Sequence, residues 1–146
     1  MADNSPKAVV LKMIELYNDG TPESYGSDRF LEMFADDCII DFPASPAGPA
    51  RRGGKEVFRE GLASVAPIWR NRHTTTKEVV VDGDRVVARN TLTATVAVEM
   101  EGFPAGSTLR NDYVDFCTVR EGLIVAVVGP VLLDESASCA TGSARQ

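Results

Sequence analysis

One histidine, His73, and three scattered cysteines are all the imidazole and thiol ligands that this 146-residue chain offers a transition metal. Cys38, Cys117 and Cys139 form no CxxC pair, and an odd number of thiols fits neither a disulfide framework nor a zinc site. No metal is therefore expected. Cys38 and Cys117 fall inside apolar stretches, where a thiol acts as a small hydrophobe. Basic charge is short as well: 15 Lys and Arg against 21 Asp and Glu leave a net charge of −6. That balance argues against nucleic acid and against an anionic membrane surface, which both need clustered positive charge. No apolar run approaches the ~20 residues of a membrane span. The first residues, MADNSPK, carry acid instead of a basic-then-apolar leader, so a cytoplasmic protein is expected.

Forty-four per cent of the residues are hydrophobic and 25% are charged, as in ordinary globular proteins. At this length one domain is the default. Residues 7–18 place Val9, Val10, Met13, Leu16 and Tyr17 on one helical face, which ends at Asp19-Gly20. A second helix-like stretch holds Phe30, Leu31 and Phe34 and ends at Ala35-Asp36-Asp37. Cys38–Phe42, closed by Pro43, is expected to be a strand, and the Pro/Gly-rich segment 44–54 a loop. Val57, Phe58, Leu62, Val65 and Trp69 predict a third helix over Lys55–Trp69. The period then changes from helical to alternating. Strands are predicted over Thr74–Val81, Val86–Glu99, Thr108–Val119 and Leu123–Leu133, with Asp82-Gly83-Asp84 and Arg120-Glu121-Gly122 as turns. Helices first and an antiparallel meander after them define an α+β class. The domain is expected to span residues 1–135, and the small, polar segment 136–146 to be a disordered tail.

The long strand over 86–99 alternates. One face carries Arg89, Thr91, Thr93 and Thr95; the other carries Ala88, Leu92, Ala94, Val96 and Val98, with Asn90 the polar exception. The next strand puts Arg110, Asp112, Val114, Phe116 and Thr118 on one side, and Asn111, Tyr113, Asp115, Cys117 and Val119 on the other. A polar sheet face is normally the wet one. Either the Thr/Arg face is solvated, or it lines a polar cavity while the apolar face meets another subunit.

Several segments in order resemble the SnoaL-like branch of the nuclear transport factor 2-like superfamily. They are Tyr17-Asn18-Asp19-Gly20, the run from Phe30-Leu31 through Ala35-Asp36-Asp37 to Asp41-Phe42-Pro43, then Arg52-Gly53-Gly54-Lys55, Asp84 to Thr91, and Val119-Arg120-Glu121-Gly122. The resemblance covers roughly 7–134. It implies a cone-shaped α+β barrel, with the N-terminal helices packed in a curved antiparallel sheet around a pocket for a small hydrophobic molecule. Relatives include polyketide cyclases, ketosteroid isomerases, limonene-epoxide hydrolases and dehydratases, which need no cofactor, alongside binding and assembly domains. Many are homodimers through the outer sheet face. That favours burial of Leu92, Ala94, Val96 and Val98 between subunits.

The family's catalytic pattern transfers in part. The isomerase base precedes a proline, where this chain has Phe42-Pro43 with the acid one residue earlier. The epoxide-hydrolase spacing instead matches Asp41-Phe42-Pro43 and aims Asp41 inward; the two alignments disagree, and the inward one is carried forward. The epoxide-hydrolase Arg-x-Asp pair falls on Thr91 and Thr93, and its last-strand Asp near Gly129, so that triad is missing. The isomerase's second acid falls near Val114, two residues from Asp112 on the same face. Asp41 and Asp112 are thus the candidate catalytic acids, Asp112 also fitting a strut paired with Arg110 or Arg89. Tyr17, Phe42, Trp69, His73, Arg89, Thr91, Thr93, Arg110, Val114 and Phe116 are the candidate substrate-binding residues. Three functions remain open: an isomerase, cyclase or lyase acting on a polyketide-, terpenoid- or steroid-like substrate, a binding protein without chemistry, and an assembly module.

Overall fold

Pro6 opens the first helix, where a missing N–H costs nothing and a fixed φ is already helical. Ser5 caps it: its carbonyl accepts from Val9 N at 3.0 Å and its hydroxyl from Ala8 N at 3.3 Å. The resulting helix α1 (Pro6–Asn18) buries Val9, Val10, Met13, Ile14 and Leu16. The computed structural model describes residues 4–18, 28–44, 49–99, 102–133 and 138–140. After α1 come a 3-10 turn (Asp28–Met33), strand β1 (Phe34–Phe42), short strand β2 (Arg51–Gly53) and helix α2 (Lys55–Val65). Strands β3 (Trp69–Asp82), β4 (Arg85–Val96), β5 (Thr108–Arg120), β6 (Leu123–Leu132) and β7 (Ser138–Ala140) follow.

The class is α+β, and the sheet is open, not a closed barrel: its order is β2-β1-β6-β5-β4-β3, with β7 paired to β5. All pairings are antiparallel except β1 with β6, which run parallel. Glu121 and Gly122 both take positive φ, 52° and 78°, the geometry of a type I′ turn that matches strand twist between β5 and β6.

Several boundaries differ from expectation. The stretch read as a second helix is a 3-10 turn, and β1 begins at Phe34, because Phe34 pairs with Ile124 of β6. Arg51–Gly53, inside the expected loop, adds to the edge of β1 as β2. Helix α2 stops at Val65; Pro67 has no N–H to continue the ladder after the Ala66 N to Leu62 O bond of 2.9 Å. Trp69 thereby starts β3. Within the segment expected to be a tail, Ser138–Ala140 pair antiparallel with Thr108–Arg110.

Register then decides which residues share a face. Val86 and Ala88 of β4, Cys117 and Val119 of β5, and Ile124 and Val127 of β6 form one core with Val9, Val10 and Met13 of α1. This inner face continues along β4 through Asn90, Leu92, Ala94 and Val96, opposite Tyr113, Asn111 and Leu109 of β5. The Thr/Arg face is the outer one. Leu92, Ala94 and Val96 are buried within a single chain. The expectation that these three need a second subunit to bury them is therefore corrected, while Val98, expected with them, is 54% exposed. An edge-to-face aromatic cluster, Tyr17–Phe30, Phe30–Phe34, Phe34–Phe58 and Phe42–Phe58 at centroid distances of 5.5, 6.2, 5.6 and 6.3 Å, adds to the core.

The register of β1 is testable through two adjacent isoleucines. Ile40 is 0% exposed opposite Val127, and Ile39 is 46% exposed. Ile40→Ala is expected to cost about 2–5 kcal/mol in chemical denaturation and Ile39→Ala no more than about 1. The reverse order would mean that β1 is slipped by one residue.

Candidate active site

The acids singled out in the sequence lie on the outer face. In β1, Ile40 faces the core, so Asp41 faces away from it, opposite Val128, and binds Arg52 Nε at 3.1 Å. The inward reading of Asp41 is corrected: parallel pairing of Ile40 with Val127 sets the register, and one residue flips the face. Asp112 accepts a 2.6 Å hydrogen bond from the Thr91 hydroxyl and lies 3.6 Å from Arg110 Nη2. The Thr91 bond is the main cause of its lowered pKa, which keeps it ionised. It is a paired strut.

The other candidates divide between the faces. Arg89 pairs with Glu78 at 3.3 Å, and Arg89, Thr91, Thr93, Arg110, Val114 and Phe116 share the outer face with Asp112. His73 is exposed and opposite Thr93, so it too points outward. Tyr17, Phe42 and Trp69 are the expected residues that lie on the inner side. Tyr17 and Phe42 pack on the core, Trp69 stands opposite Val96, and Arg72 lies 4.5 Å over the Tyr17 ring.

A different set of polar residues meets inside. Register brings Thr76, Asn90 and Tyr113 into one row across β3, β4 and β5, with Thr74, Leu92 and Asn111 in the next. Asp115 follows Tyr113 on the same face, opposite Ala88. Helix α1 anchors the row: Asn18 donates to the Thr74 carbonyl at 2.7 Å and accepts from its N–H at 2.8 Å. The hydroxyls of Thr74 and Tyr113 are 3.3 Å apart. Desolvation pushes the Tyr113 phenol well above its ordinary value, with Asp115 adding to the effect, so it stays protonated.

Asp115 is the most perturbed carboxyl. Burial alone moves it from its ordinary 3.8 up to about 7. As a residue it keeps partial exposure. Its place is made by an irregularity between β5 and β6, where Asp115 faces the Gly129-Pro130 segment. Gly129 has φ 152°, and a β-carbon there would overlap the Asp115 carboxylate and lie 3.1 Å from its Cα. Glycine is therefore required for the carboxyl to fit.

Asp115 was readable in the sequence as the acid on the Tyr113 and Cys117 face, and Asn90 as the polar exception in an apolar row. Neither signal says by itself which face is the inner one. Among the described residues no His/Cys/Asp/Glu cluster could hold a metal ion, and no helix is long and apolar enough to cross a membrane. A surface cleft of about 280 Å³ lined by Arg29, Leu31, Glu32, Lys55 and Arg59 involves none of the inner polar residues.

A curved sheet wrapped on one long helix, with a polar row set into an apolar inner face, is the nuclear transport factor 2-like architecture. The chain belongs to the SnoaL-like family, whose domain model matches residues 10–127. No curated protein matches it. Similar solved structures include IdmH of Streptomyces antibioticus, a candidate polyketide cyclase, at 22% identity and TM-score 0.68 over 84% of this chain and 88% of that one. AclR of Streptomyces galilaeus, a candidate hydroxylase, is 18% identical with TM-score 0.67 over 84% and 72%. A nuclear transport factor 2-like protein of Burkholderia thailandensis is 15% identical with TM-score 0.65 over 85% and 88%.

The raised carboxyl has a stability signature. Between pH 3.8 and about 7 the folded chain holds a proton on Asp115 that the unfolded chain has released. Its contribution to stability is therefore full below about pH 4, falls as pH rises, and levels off above about 7. Asp115→Asn is expected to match the parent near pH 4 and to exceed it by roughly 2–4 kcal/mol at pH 8 in urea unfolding. Parallel pH profiles would show the carboxyl to be unperturbed.

Proposed function

We propose that the chain is a proton-transfer enzyme of the cyclase or isomerase kind, acting on a small, largely apolar carbonyl compound. One observation carries this reading: an acid poised near pH 7 stands beside a protonated phenol on the inner face. The family, and the candidate polyketide cyclase among the similar structures, support it. Asp115 takes the proton from a carbon next to the carbonyl. The C–H pair moves into the carbon–carbon bond and the carbonyl pair onto oxygen, giving an enolate to which the Tyr113 hydroxyl donates a hydrogen bond. Asp115 then returns its proton to a different atom of the same molecule, which completes an isomerisation, or the enolate carbon attacks a second carbonyl, whose π pair moves onto its oxygen, and the resulting alkoxide takes the proton back from Asp115 to complete the ring closure. Side chains supply every proton, so this chemistry calls for no cofactor.

The test is proton exchange of 2-tetralone in deuterium oxide, followed by NMR. The rate is expected to rise with pH to a plateau, with an apparent pKa near 7. Asp115→Asn should lose 10²-fold or more and Asp41→Asn less than about threefold. No acceleration by the parent, or loss through Asp41 instead, would sink the assignment. Ligand binding without exchange would favour a carrier.

A homodimer through the outer face is part of the same proposal, on different residues from those expected. Val80, Val87, Phe116 and Val128 align across β3, β4, β5 and β6, and Phe116 is 40% exposed. Such a row is apolar surface that a second copy would cover. Sedimentation at micromolar concentration is expected to give a dimer, and Phe116→Glu to weaken it at least tenfold. A monomeric parent would contradict it.

A further inference from the structure

The inner face carries more hydrogen-bonding capacity than the chain itself uses. Trp69 Nε1, Thr76 Oγ1, both amide atoms of Asn90 and Asn111 Oδ1 are sealed from solvent and have no hydrogen-bond partner among the described residues. Buried polar atoms are normally paired, and these belong to residues that all face one side of three adjacent strands. Asn90 is the extreme case, 0% exposed with donor and acceptor both unmet. Its amide is a hydrogen-bonding neighbour of the Tyr113 hydroxyl, at a geometry too loose to satisfy it. Around it, Thr76, Asn111 and Tyr113 keep partial exposure as whole residues, although the unmet Thr76 and Asn111 oxygens are themselves sealed.

We propose that this strip is a recognition surface for a neutral ligand bearing a carbonyl next to a hydroxyl, and that Asn90 is its specificity-determining residue. The chemistry of the atoms sets the class. An amide offers a donor and an acceptor side by side, and its complement is an edge with an acceptor and a donor at the same spacing, such as a ketone beside an enol or phenol. Trp69 adds a donor, Asn111 an acceptor, and Thr76 either. Trp69, Thr76, Asn90 and Asn111 bear no charge, and the Arg72 guanidinium near them is engaged over the Tyr17 ring at 4.5 Å, so a neutral ligand suits the strip. A hydrocarbon of the same shape leaves every one of these atoms unpaired, so the strip rejects it. This rests on the proposed site at Asp115 and names which carbonyl compounds reach it.

The sole tryptophan of the chain is Trp69, so its emission reports occupancy directly. The probes are 2-acetyl-1-naphthol, which presents the paired carbonyl and hydroxyl, and 2-ethylnaphthalene, which has nearly the same outline without oxygen. The parent is expected to bind the first at least tenfold more tightly. Asn90→Leu, similar in volume, should reduce that ratio below about threefold without lowering Tm. Thr76→Val is expected to reduce the ratio in the same direction and serves if Asn90→Leu fails to fold. Equal affinities in the parent, binding of neither probe, or a ratio that survives both substitutions overturns the proposal. A fall in Tm of Asn90→Leu with the ratio intact does so too, since the amide would then be an internal strut. Asp115→Asn should keep the ratio while losing proton exchange. If exchange also persists in Asp115→Asn, the proton-transfer reading fails and the recognition surface stands.

Discussion

Burial of Val9, Val10 and Met13 against Val86, Ala88, Cys117 and Ile124 is the contact from which the rest of the arrangement follows. The strands alternate strictly, so once one residue of β4 is placed under the helix, the side of every other residue is set through eleven consecutive pairs from Arg85–Thr118 to Thr95–Thr108. A helix can cover only one side of the sheet. That side holds Asn90, Tyr113 and Asp115; the other holds Arg89, Asp112 and Arg110. Asn18 reinforces the choice by clamping the backbone of Thr74 at the end of the same helix.

Local patterns carried most of the fold. The apolar face of α1, the alternation of β4 and β5, and the two tight turns are short-range signals, and they appear where expected. Which face of the alternation is inner depends on contacts between residues about 75 apart or more, such as Val9 with Val86, and no window of sequence contains them. The orientation of Asp41 failed for a related reason. It depends on a parallel register between β1 and β6, two strands separated by most of the chain. The start of β1 at Phe34 has the same origin, because pairing with Ile124 overrides a segment whose own apolar spacing resembles a helix.

The contrast between faces gives the site its physical meaning. Asp41 with Arg52, Asp112 with Arg110, Asp84 with Arg120 and Glu78 with Arg89 are partly exposed pairs on strands or turns, and each has an arginine partner. Of these, Asp112 is held below the ordinary carboxylate range, chiefly by the Thr91 hydroxyl and then by Arg110. Among the described residues Asp115 has no arginine that moves its pKa, and a neutral phenol stands near it instead. Environment, not residue type, separates the two kinds of carboxylate.

An unpaired acid in a core works against stability, since above its pKa the folded chain must carry a desolvated charge. The local backbone is nonetheless shaped to receive it. The irregular pairing of β5 with β6 and the conformation of Gly129 leave room for this one carboxyl where any side chain on Gly129 would displace it. Hydrophobic packing alone asks for neither feature, because an apolar residue at 115 and a regular ladder would bury the same strand at lower cost. Unmet amide atoms on the same face depart from good packing in the same direction. Two such departures on three adjacent strands, beside a phenol held by Thr74, are what a site demands and a core avoids.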